Sequence, residues 1–530
     1  MDCNPWVETP TIGFIVTQGN IMRFHRFKIR LVAALFFVVT PATAQEPAPL
    51  QFAVTYDAAI TDSFSGRVYV MLGSGRIEPR FGPNWFNTQP FFAMDVQEWK
   101  PNTPLVFDDS ALSFPDPIQQ LAEGNYSIQA VMRLNLDSPS IGRGPGTAYS
   151  KASVQQLDGA STGEMRLFID QVVQPSLRRD VDTDQRKLVR LRSELLSAFY
   201  GRDIFMEAAV ALPQGYHDNP SRRYPALYVI PGFGGNHRGA LAWGRRLVRS
   251  DVDGIVTIGL NPRCLTGHHV FADSANNGPR GQALIEEMIP HLEREFRIVA
   301  QPTGRFLTGA SSGGWSSLWL QVTYADVFGG VWSIVPDPVD FRDFQRINLY
   351  QTGENMYVDE TGNRRAIARR GDEPMLWYDD FAKMEVVQGP GGQLYSFEAV
   401  FSPRGPDGKP MPLYGRETGE VNTDVANAWR KYDIGLVLKE NWPTLESKLT
   451  GKLRIFAGEK DTFYLEGAVR LLKQTLDELG SDAVVEILQG RNHGNVADRA
   501  LGQRIHQELR AVFDTHHPQY ATSTPQDAAP

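Results

Sequence analysis

Two patterns of hydrophobic and polar positions divide the chain. From residue 50 to 137, short apolar runs rich in β-branched and aromatic residues are separated by turn-forming Pro, Gly, Asn and Asp. The clearest of these runs lie at 51–56, 66–71 and 125–134. No stretch with helical periodicity interrupts them, and the pattern therefore predicts a small β-sandwich domain over 50–137.

From residue 164 to 515, predicted strands alternate with predicted helices. The runs at 226–230, 254–260 and 330–335 are almost continuously apolar, as is typical of parallel strands that are buried on both faces. One intervening segment repeats its apolar residues every four positions, as on one side of a helix: Leu284, Met288, Leu292 and Phe296. This alternation predicts an α/β domain with a mostly parallel sheet over 164–515.

Three segments depart from these patterns. Residues 138–163 are rich in Ser, Pro and Gly and are predicted to be a linker. Residues 337–447 mix turns with aromatic side chains and one predicted helix near 425–439, so we expect an insertion that forms a lid or a pocket wall. An excursion unrelated to substrate is the alternative. The tail at 516–530 is predicted to be disordered.

Residues 22–44 have the three parts of a secretory signal. Basic residues precede an apolar run at 31–40 that is too short to span a bilayer, and small residues at 42–44 form a cleavage site. We therefore predict that residues 1–44 are a signal region and that translation starts at Met22. The mature protein is then expected to be periplasmic or secreted, without a membrane span.

The amino-acid composition limits the kinds of molecule that the protein is expected to bind. The chain has 530 residues and a formal net charge of -8, which argues against nucleic acid as a partner. Cleavage of the signal region would leave Cys264 as a lone cysteine, which predicts a buried thiol and no intrachain disulfide. No spacing of histidines and carboxylates resembles a metal site, and no glycine loop resembles a phosphate cradle, so neither a metal nor a cofactor is expected.

The motif Gly309-x-Ser311-x-Gly313 follows a short apolar run. Small residues allow a strand to turn sharply into a helix, and the residue at the apex then projects from the sheet. A helix predicted at 312–322 would direct its free N–H groups at the same point. The motif predicts that Ser311 is a nucleophile that attacks a carbonyl carbon, although a plain turn would give the same pattern.

Two further polar residues follow predicted strands. Asp461 comes after the run at 452–457, and His493 comes after the run at 483–488. Reactive groups collect beyond the carboxyl ends of strands in open α/β sheets, and the chain order Ser311, Asp461, His493 is that of the α/β-hydrolases. His493 would then move the proton while Asp461 orients its ring. A helix-capping role for Asp461 and a surface position for His493 are the alternatives.

Carbonyl chemistry also needs donors for the developing oxyanion. The backbone N–H of Ser312 is one predicted donor, and that of Phe233, within a glycine-rich loop, is the second. A tight glycine turn is the alternative for this loop. Gly234, His237 and His268 are predicted to line the substrate pocket, because each lies on a loop that follows a strand.

Four motifs together resemble a known family. They are residues 227–235, 308–314, 458–461 and 492–494. The resemblance is to the putative esterase family (esterase D and enterochelin esterase-like) of α/β-hydrolases, over about 200–335 and 450–515. It implies a Ser-Asp-His triad, no cofactor and hydrolysis of carboxylic esters. The β-rich N-terminal region is similar to the accessory domain of some members. Pro231 stands where many hydrolases carry histidine.

The interpretation that follows is an exported serine carboxylesterase, and three alternatives stay open. The first is a serine peptidase of similar architecture, but such peptidases usually carry a β-propeller, which is much larger than the N-terminal region of strands predicted here. An acyltransferase would resolve the same acyl-enzyme with an alcohol. A catalytically silent protein could bind glycans through the β-rich domain. The substrate is expected to be a small-molecule or glycan ester, and the sequence does not indicate an oligomeric state.

Overall fold

The computed structural model describes residues 48–135, 137–174, 182–248 and 254–521. The predicted signal region at 1–44 lies outside these ranges, as do residues 522–530 of the predicted tail. The described start of that tail, 516–521, holds the end of a helix and a 3-10 turn.

The N-terminal strands form one sheet. Its strands are β1 Gln51–Tyr56, β2 Phe64–Gly73, β3 Phe91–Trp99, β4 Leu105–Phe107, β5 Leu112–Phe114, β6 Gly124–Met132, β7 Ala148–Ser150, β8 Ser153–Leu157 and β9 Glu164–Val172. Within the described residues the sheet has these nine strands, in the order β4-β1-β9-β7-β6-β2-β3-β5, with β8 paired to β6. Because hydrogen bonds join all of these strands, the predicted two-sheet sandwich is not confirmed.

The predicted linker at 138–163 contains two of these strands, β7 and β8, and β9 pairs in parallel with β1. In β8 the middle residues Val154, Gln155 and Gln156 are exposed, and Leu157 at its end is buried. Such a strand lacks the apolar run by which strands are recognised in a sequence, which explains why it was expected to be a loop.

Each face of the N-terminal sheet contributes residues to a hydrophobic core. One face forms its own hydrophobic core, which includes Phe52, Val70 and Phe92. The opposite face carries Tyr69 and Phe91 into the large core of the α/β region. The Tyr69 hydroxyl also donates a hydrogen bond of 2.7 Å to the carbonyl of Gln388. The N-terminal sheet is therefore packed directly against the α/β region.

The remaining strands are mostly those of a central sheet. They are β10 Arg186–Arg192, β11 Phe205–Ala211, β12 Ala226–Ile230, β13 Val256–Leu260, β14 Arg263–Cys264, β15 Gly267–His268, β16 Asp273–Ser274, β17 Gly278–Pro279, β18 Arg305–Ala310, β19 Gly330–Ile334, β20 Ala366–Arg370, β21 Glu373–Trp377, β22 Leu453–Gly458 and β23 Val484–Leu488. In the described part of the chain, the central sheet has eight strands in the order β10-β11-β13-β12-β18-β19-β22-β23.

The central sheet is mixed, whereas a mostly parallel sheet was expected. β11 pairs antiparallel with both β10 and β13, and β12 pairs in parallel with β13 and β18. The pairings from β18 through β19 and β22 to β23 are also parallel. The antiparallel pairings come from β11, which runs opposite to both of its neighbours, while β10 at the edge of the sheet is largely exposed.

Helices flank the central sheet. They are α1 Glu194–Tyr200, α2 His237–Val248, α3 Arg280–Ala283, α4 Ile289–Glu295, α5 Ser312–Thr323, α6 Tyr378–Gln388, α7 Gln393–Phe401, α8 Thr423–Trp429, α9 Ile434–Leu449, α10 Glu466–Glu478 and α11 Arg499–His516. A π-helical turn, Leu284–Met288, joins α3 to α4. No helix in the described ranges is long and apolar enough to cross a membrane.

The predicted helix at 425–439 is in fact two helices. α8 ends at Trp429, and Asp433 starts α9 by accepting a 3.1 Å hydrogen bond from the N–H of Leu436. An Asp at this position satisfies a free N–H group of the new helix. α6 to α9 and the β20–β21 hairpin make up most of the predicted insertion, and they lie between β19 and β22 of the central sheet.

Candidate active site

Ser311 lies at the turn between β18 and α5. Its backbone angles, φ 60 and ψ -127, fall in a region that residues with a side chain rarely adopt. Such strain persists when the surrounding structure fixes it, and it collects at functional sites. The observed turn confirms the predicted passage from strand to helix at this motif, and it projects Ser311 from the edge of the sheet.

Glycines next to Ser311 allow α5 to approach the sheet. A Cβ atom on Gly313 would lie 2.0 Å from the carbonyl oxygen of Ile230 in β12, and one on Gly309 would lie 2.2 Å from the carbonyl oxygen of Gly313. Neither contact is possible for a real side chain, so the two glycines are required by packing. This close approach fixes the N-terminus of α5 behind Ser311.

The substitution Gly313→Ala is therefore expected to lower the free energy of unfolding by about 3 kcal/mol or more, since backbone must move to admit the methyl group. Thermal unfolding followed by circular dichroism measures the effect. Gly239→Ala in α2 is the matched control, because its new Cβ would meet nothing nearer than 3.8 Å. Equal stability of both variants would contradict the packing argument.

Asp461 and His493 form the predicted pair. The Nδ1 atom of His493 lies 2.9 Å from Oδ2 of Asp461, and the Asp461 side chain is 0% exposed. Oδ1 of Asp461 accepts a hydrogen bond of 2.8 Å from the N–H of Phe463. Donation from Nδ1 to the carboxylate leaves Nε2 of His493 as the free acceptor of the ring. That is the tautomer a general base needs.

Opposing effects set the pKa of His493. Burial by itself would lower it, but the negative charges of Asp461 and Asp337 and the hydrogen bond to Asp461 raise it above its usual value. The imidazolium form is thus stabilised. An imidazole that has taken a proton from a nucleophile would be held in place until it returns that proton.

Asp337 is the residue of the site that the sequence analysis missed. Its Oδ1 accepts a hydrogen bond of 3.2 Å from the Ser311 hydroxyl, and its Oδ2 accepts one of 2.6 Å from the Ser312 hydroxyl. Gln393 donates from Nε2 to the same Oδ2 at 3.3 Å. Among the described residues, the Ser311 hydroxyl is therefore bonded to Asp337 and not to His493.

The position of Asp337 in the sequence could have identified it as a residue of the site. It lies three residues beyond β19, at the same edge of the sheet as Ser311 and Asp461. The sequence analysis had placed it at the start of the insertion. Burial raises the pKa of Asp337 to about 6, although hydrogen bonds from Ser312 and Ser311 and the nearby His493 oppose the shift.

The glycine loop after β12 lies beside Ser311. A Cβ atom on Gly232 would be 3.2 Å from Cβ of Ser311. His268 is hydrogen-bonded to this loop. Its Nδ1 accepts from the N–H of Val270 at 3.1 Å, so its Nε2 carries the proton and donates to the carbonyl of Pro231 at 2.9 Å. Burial lowers the pKa of His268 to about 4, which keeps the ring neutral.

The predicted pocket residues Gly234, His237 and His268 do not line the cavity at Ser311. His268 is 2% exposed and touches the back of the loop, so it positions backbone and does not reach the pocket. His237 begins α2 and lies 3.8 Å from Glu207. Gly234 lines a neighbouring cavity of about 130 Å³. These three residues are not among the described residues that line the cavity at Ser311.

Ser311 and His493 line one cavity of about 300 Å³. Phe233, one of the two predicted oxyanion donors, also lines it, while Ser312 starts α5 beneath Ser311. The walls come from all parts of the chain and are largely apolar. The insertion supplies Ile367, Leu376, Phe381 and Phe397, the loop after β22 supplies Phe463 and Leu465, and the N-terminal sheet region supplies Trp85.

Trp85 makes the N-terminal region part of the pocket. Its ring stacks on Phe233 with the centroids 5.5 Å apart and meets the edge of Phe381 at 5.0 Å. Phe463, on the same wall, packs edge to face on His493 at 4.9 Å. The catalytic histidine candidate is thus fixed by aromatic contacts as well as by Asp461.

Comparisons with known proteins agree with this geometry. The sequence model of the family described as "Putative esterase" matches residues 201–384. No curated protein matches the chain significantly. The central sheet, with its flanking helices, has an α/β arrangement that is observed independently of these comparisons.

Several solved structures are similar to the chain at low identity. A ferulic acid esterase is 16% identical, with 62% of this chain and 98% of that chain covered and a TM-score of 0.36. The fluorophosphonate-binding serine hydrolase FphF of Staphylococcus aureus is 13% identical over 62% and 98%, with a TM-score of 0.39. An S-formylglutathione hydrolase from Agrobacterium tumefaciens is 13% identical over 63% and 94%, with a TM-score of 0.37. Over residues 201–384, about a third of its length, the chain is thus similar to the putative esterase family.

Proposed function

We propose that the chain is an exported serine carboxylesterase that forms an acyl-enzyme on Ser311. The observation that carries this proposal is the meeting of Ser311 and His493 on one cavity, with the buried Asp461 bonded to His493. The segment at 1–44 has the sequence of a secretory signal, which supports export.

The proposed reaction has two halves. The Ser311 oxygen attacks the ester carbonyl while Nε2 of His493 takes its proton, and the N–H groups of Ser312 and Phe233 bind the oxyanion. His493 then gives that proton to the leaving alcohol as the ester C–O bond breaks. In the second half, water attacks the acyl carbon, His493 takes the proton of the water, and Ser311 leaves with that proton.

The hydroxyl of Ser311 must turn for this reaction to begin. It donates to Asp337 in the structure and would have to redirect its proton to Nε2 of His493. The movement that the proposal requires is a rotation about the Cα–Cβ bond of Ser311, and both groups line the same cavity. Asp461 keeps the free nitrogen of His493 available throughout.

The proposed activity predicts turnover of p-nitrophenyl esters by the full chain. A cavity of about 300 Å³ is at the small end of ligand pockets, so acetyl to butanoyl esters should be hydrolysed faster than octanoyl esters. Release of p-nitrophenol across the series from acetyl to octanoyl measures this. An organophosphonate should also add once to the chain, as intact-mass spectrometry would detect.

Other results would replace the proposal. Faster cleavage of p-nitroanilides than of the matched esters would indicate a peptidase. Acyl transfer to an added alcohol in place of hydrolysis would indicate an acyltransferase. An absence of both turnover and organophosphonate adduct would indicate a catalytically silent protein.

A further inference from the structure

The cavity at Ser311 has an unusual balance of charge. Of the described residues that line it, Asp337 alone has a carboxylate, and none is Lys or Arg. Asp337 is 5% exposed, so its carboxylate is almost fully removed from water. A buried charge is costly unless a partner of opposite charge or several donors compensate it.

The hydrogen bonds of Asp337 divide unequally between its two oxygens. Oδ2 accepts from the hydroxyl of Ser312 at 2.6 Å and from the amide of Gln393 at 3.3 Å. Oδ1 accepts from the Ser311 hydroxyl at 3.2 Å, a long hydrogen bond for two oxygens. Oδ1 of Asp337, which has the weaker hydrogen bond, is therefore the oxygen that faces the proposed nucleophile, Ser311.

The proposed reaction removes the hydrogen bond that Ser311 donates to Oδ1 of Asp337. Once Ser311 carries an acyl group, its oxygen is an ester oxygen and has no hydrogen to donate. Oδ1 of Asp337 then lies beside the bound acyl group without the serine as a donor. At this stage the alcohol part of the substrate has left, so any donor that the substrate itself supplies belongs to its acyl part.

The surroundings favour a cation over a neutral hydroxyl as this donor. Aromatic rings surround the cavity, and their faces attract cations. These rings belong to Trp85, Phe233, Phe381, Phe397 and Phe463. Burial raises the pKa of Asp337 to about 6, and a nearby cation would favour the charged form again, whereas a hydroxyl would donate a hydrogen bond without bringing an opposite charge.

We propose that the substrate of this esterase carries a protonated amino group on its acyl part, and that Oδ1 of Asp337 binds this group. Because Oδ1 is 3.2 Å from the attacking oxygen, the amino group belongs one or two carbons from the ester carbonyl. This inference rests on the proposed ester hydrolysis and names the class of acyl group for the same site.

The test compares methyl esters with one carbon skeleton: methyl propanoate, methyl 2-hydroxypropanoate and methyl 2-aminopropanoate. Release of methanol at neutral pH gives kcat/KM for each ester. The amino group also makes an ester intrinsically more reactive, so the informative quantity is the amino-to-parent ratio in the wild type divided by that ratio in Asp337→Asn. We expect this quotient to be about tenfold or more, the value of a charge-assisted hydrogen bond.

Asp116→Asn is the matched control, because Asp116 is an exposed carboxylate in the N-terminal region and its loss should leave the ratio unchanged. A ratio that is the same in wild type and Asp337→Asn would overturn the proposal. The proposal would also be overturned if Asp116→Asn lowered the ratio as much as Asp337→Asn does. It would be overturned as well if Asp337 raised kcat/KM for the hydroxyl ester as much as for the amino ester.

A second measurement needs no variant. Alaninamide and propanamide have the same skeleton and differ in the amino group. Alaninamide should inhibit hydrolysis of p-nitrophenyl acetate by the wild type at a concentration about tenfold lower than propanamide does. Equal inhibition would overturn the amine proposal while leaving the esterase intact, whereas no hydrolysis of p-nitrophenyl acetate would overturn the proposed function itself.

Discussion

Replacing Ser311 with alanine is expected to lower kcat for p-nitrophenyl acetate by about 10⁴-fold or more. The variant keeps the oxyanion donors and the cavity but has no atom that can form the acyl-enzyme. Steady-state release of p-nitrophenol measures the loss, and the organophosphonate adduct should disappear from the intact mass. The fold should survive, since the change removes one oxygen atom from the cavity wall.

Ser317→Ala is the matched control for this prediction. Ser317 is a buried serine in the same helix, α5, and its hydroxyl donates to the carbonyl of Gly314 at 2.9 Å. Its loss should leave ester hydrolysis close to that of the wild type. Turnover that persists in Ser311→Ala, with circular dichroism showing a folded chain, would mean that another group carries the reaction.

Replacing Asp461 with asparagine is expected to lower kcat by about 10³- to 10⁴-fold, the size of effect found when a triad carboxylate loses its charge. The new side-chain amide could present its NH₂ group to Nδ1 of His493, which would place the ring proton on Nε2. Nε2 could then no longer accept the proton of Ser311. The imidazolium would also lose the buried negative charge that lies 2.9 Å from Nδ1.

The same substitution should shift the pH profile to lower pH. His493 acts as a base only when neutral, so kcat/KM of the wild type should rise with pH through a pKa above the ordinary value of 6.5. Without Asp461 the imidazolium is less stable, its pKa falls, and the rise should come at lower pH. Asp337 still raises this pKa in the variant, so the shift should be incomplete.

Asp477→Asn is the control, because Asp477 is an exposed carboxylate on α10, paired with Lys473. It should change neither kcat nor the midpoint of the profile. A rise in kcat/KM at the same pH in wild type and Asp461→Asn would mean that the titrating group is not His493. Asp337 would then be the first candidate.

Buried parallel strands were the easiest elements to predict. β12 lies at 226–230, as expected from its run of five apolar residues, and β19, β22 and β23 begin and end within two residues of their predicted positions. A strand covered on both faces has to be apolar throughout, and this leaves a continuous run in the sequence. The turn at Ser311 was predictable for a related reason, because close helix packing demands glycine on both sides of the nucleophile.

Features that depend on distant contacts were not predictable in the same way. Nothing local distinguishes one curved sheet from two packed sheets, since strand pairing decides the matter. His268 belongs to a loop after a strand, as a pocket residue would, but the carbonyl of Pro231 draws its ring to the back of the glycine loop. Asp337 could have been predicted by the rule that identified Asp461: polar residues just beyond the end of a buried strand lie near the site.

The placement of Trp85 separates the residues of the proposed reaction from part of the wall that would select the substrate. The residues proposed for bond breaking belong to the central sheet and its loops, whereas Trp85 lies in the loop between β2 and β3 of the N-terminal sheet and contacts Phe233 and Phe381 at the cavity. Mutations in the loop around Trp85 can therefore reshape the acyl pocket without touching Ser311, Asp461 or His493. Descendants of one ancestral enzyme could diverge in substrate through this loop while inheriting an unchanged reaction.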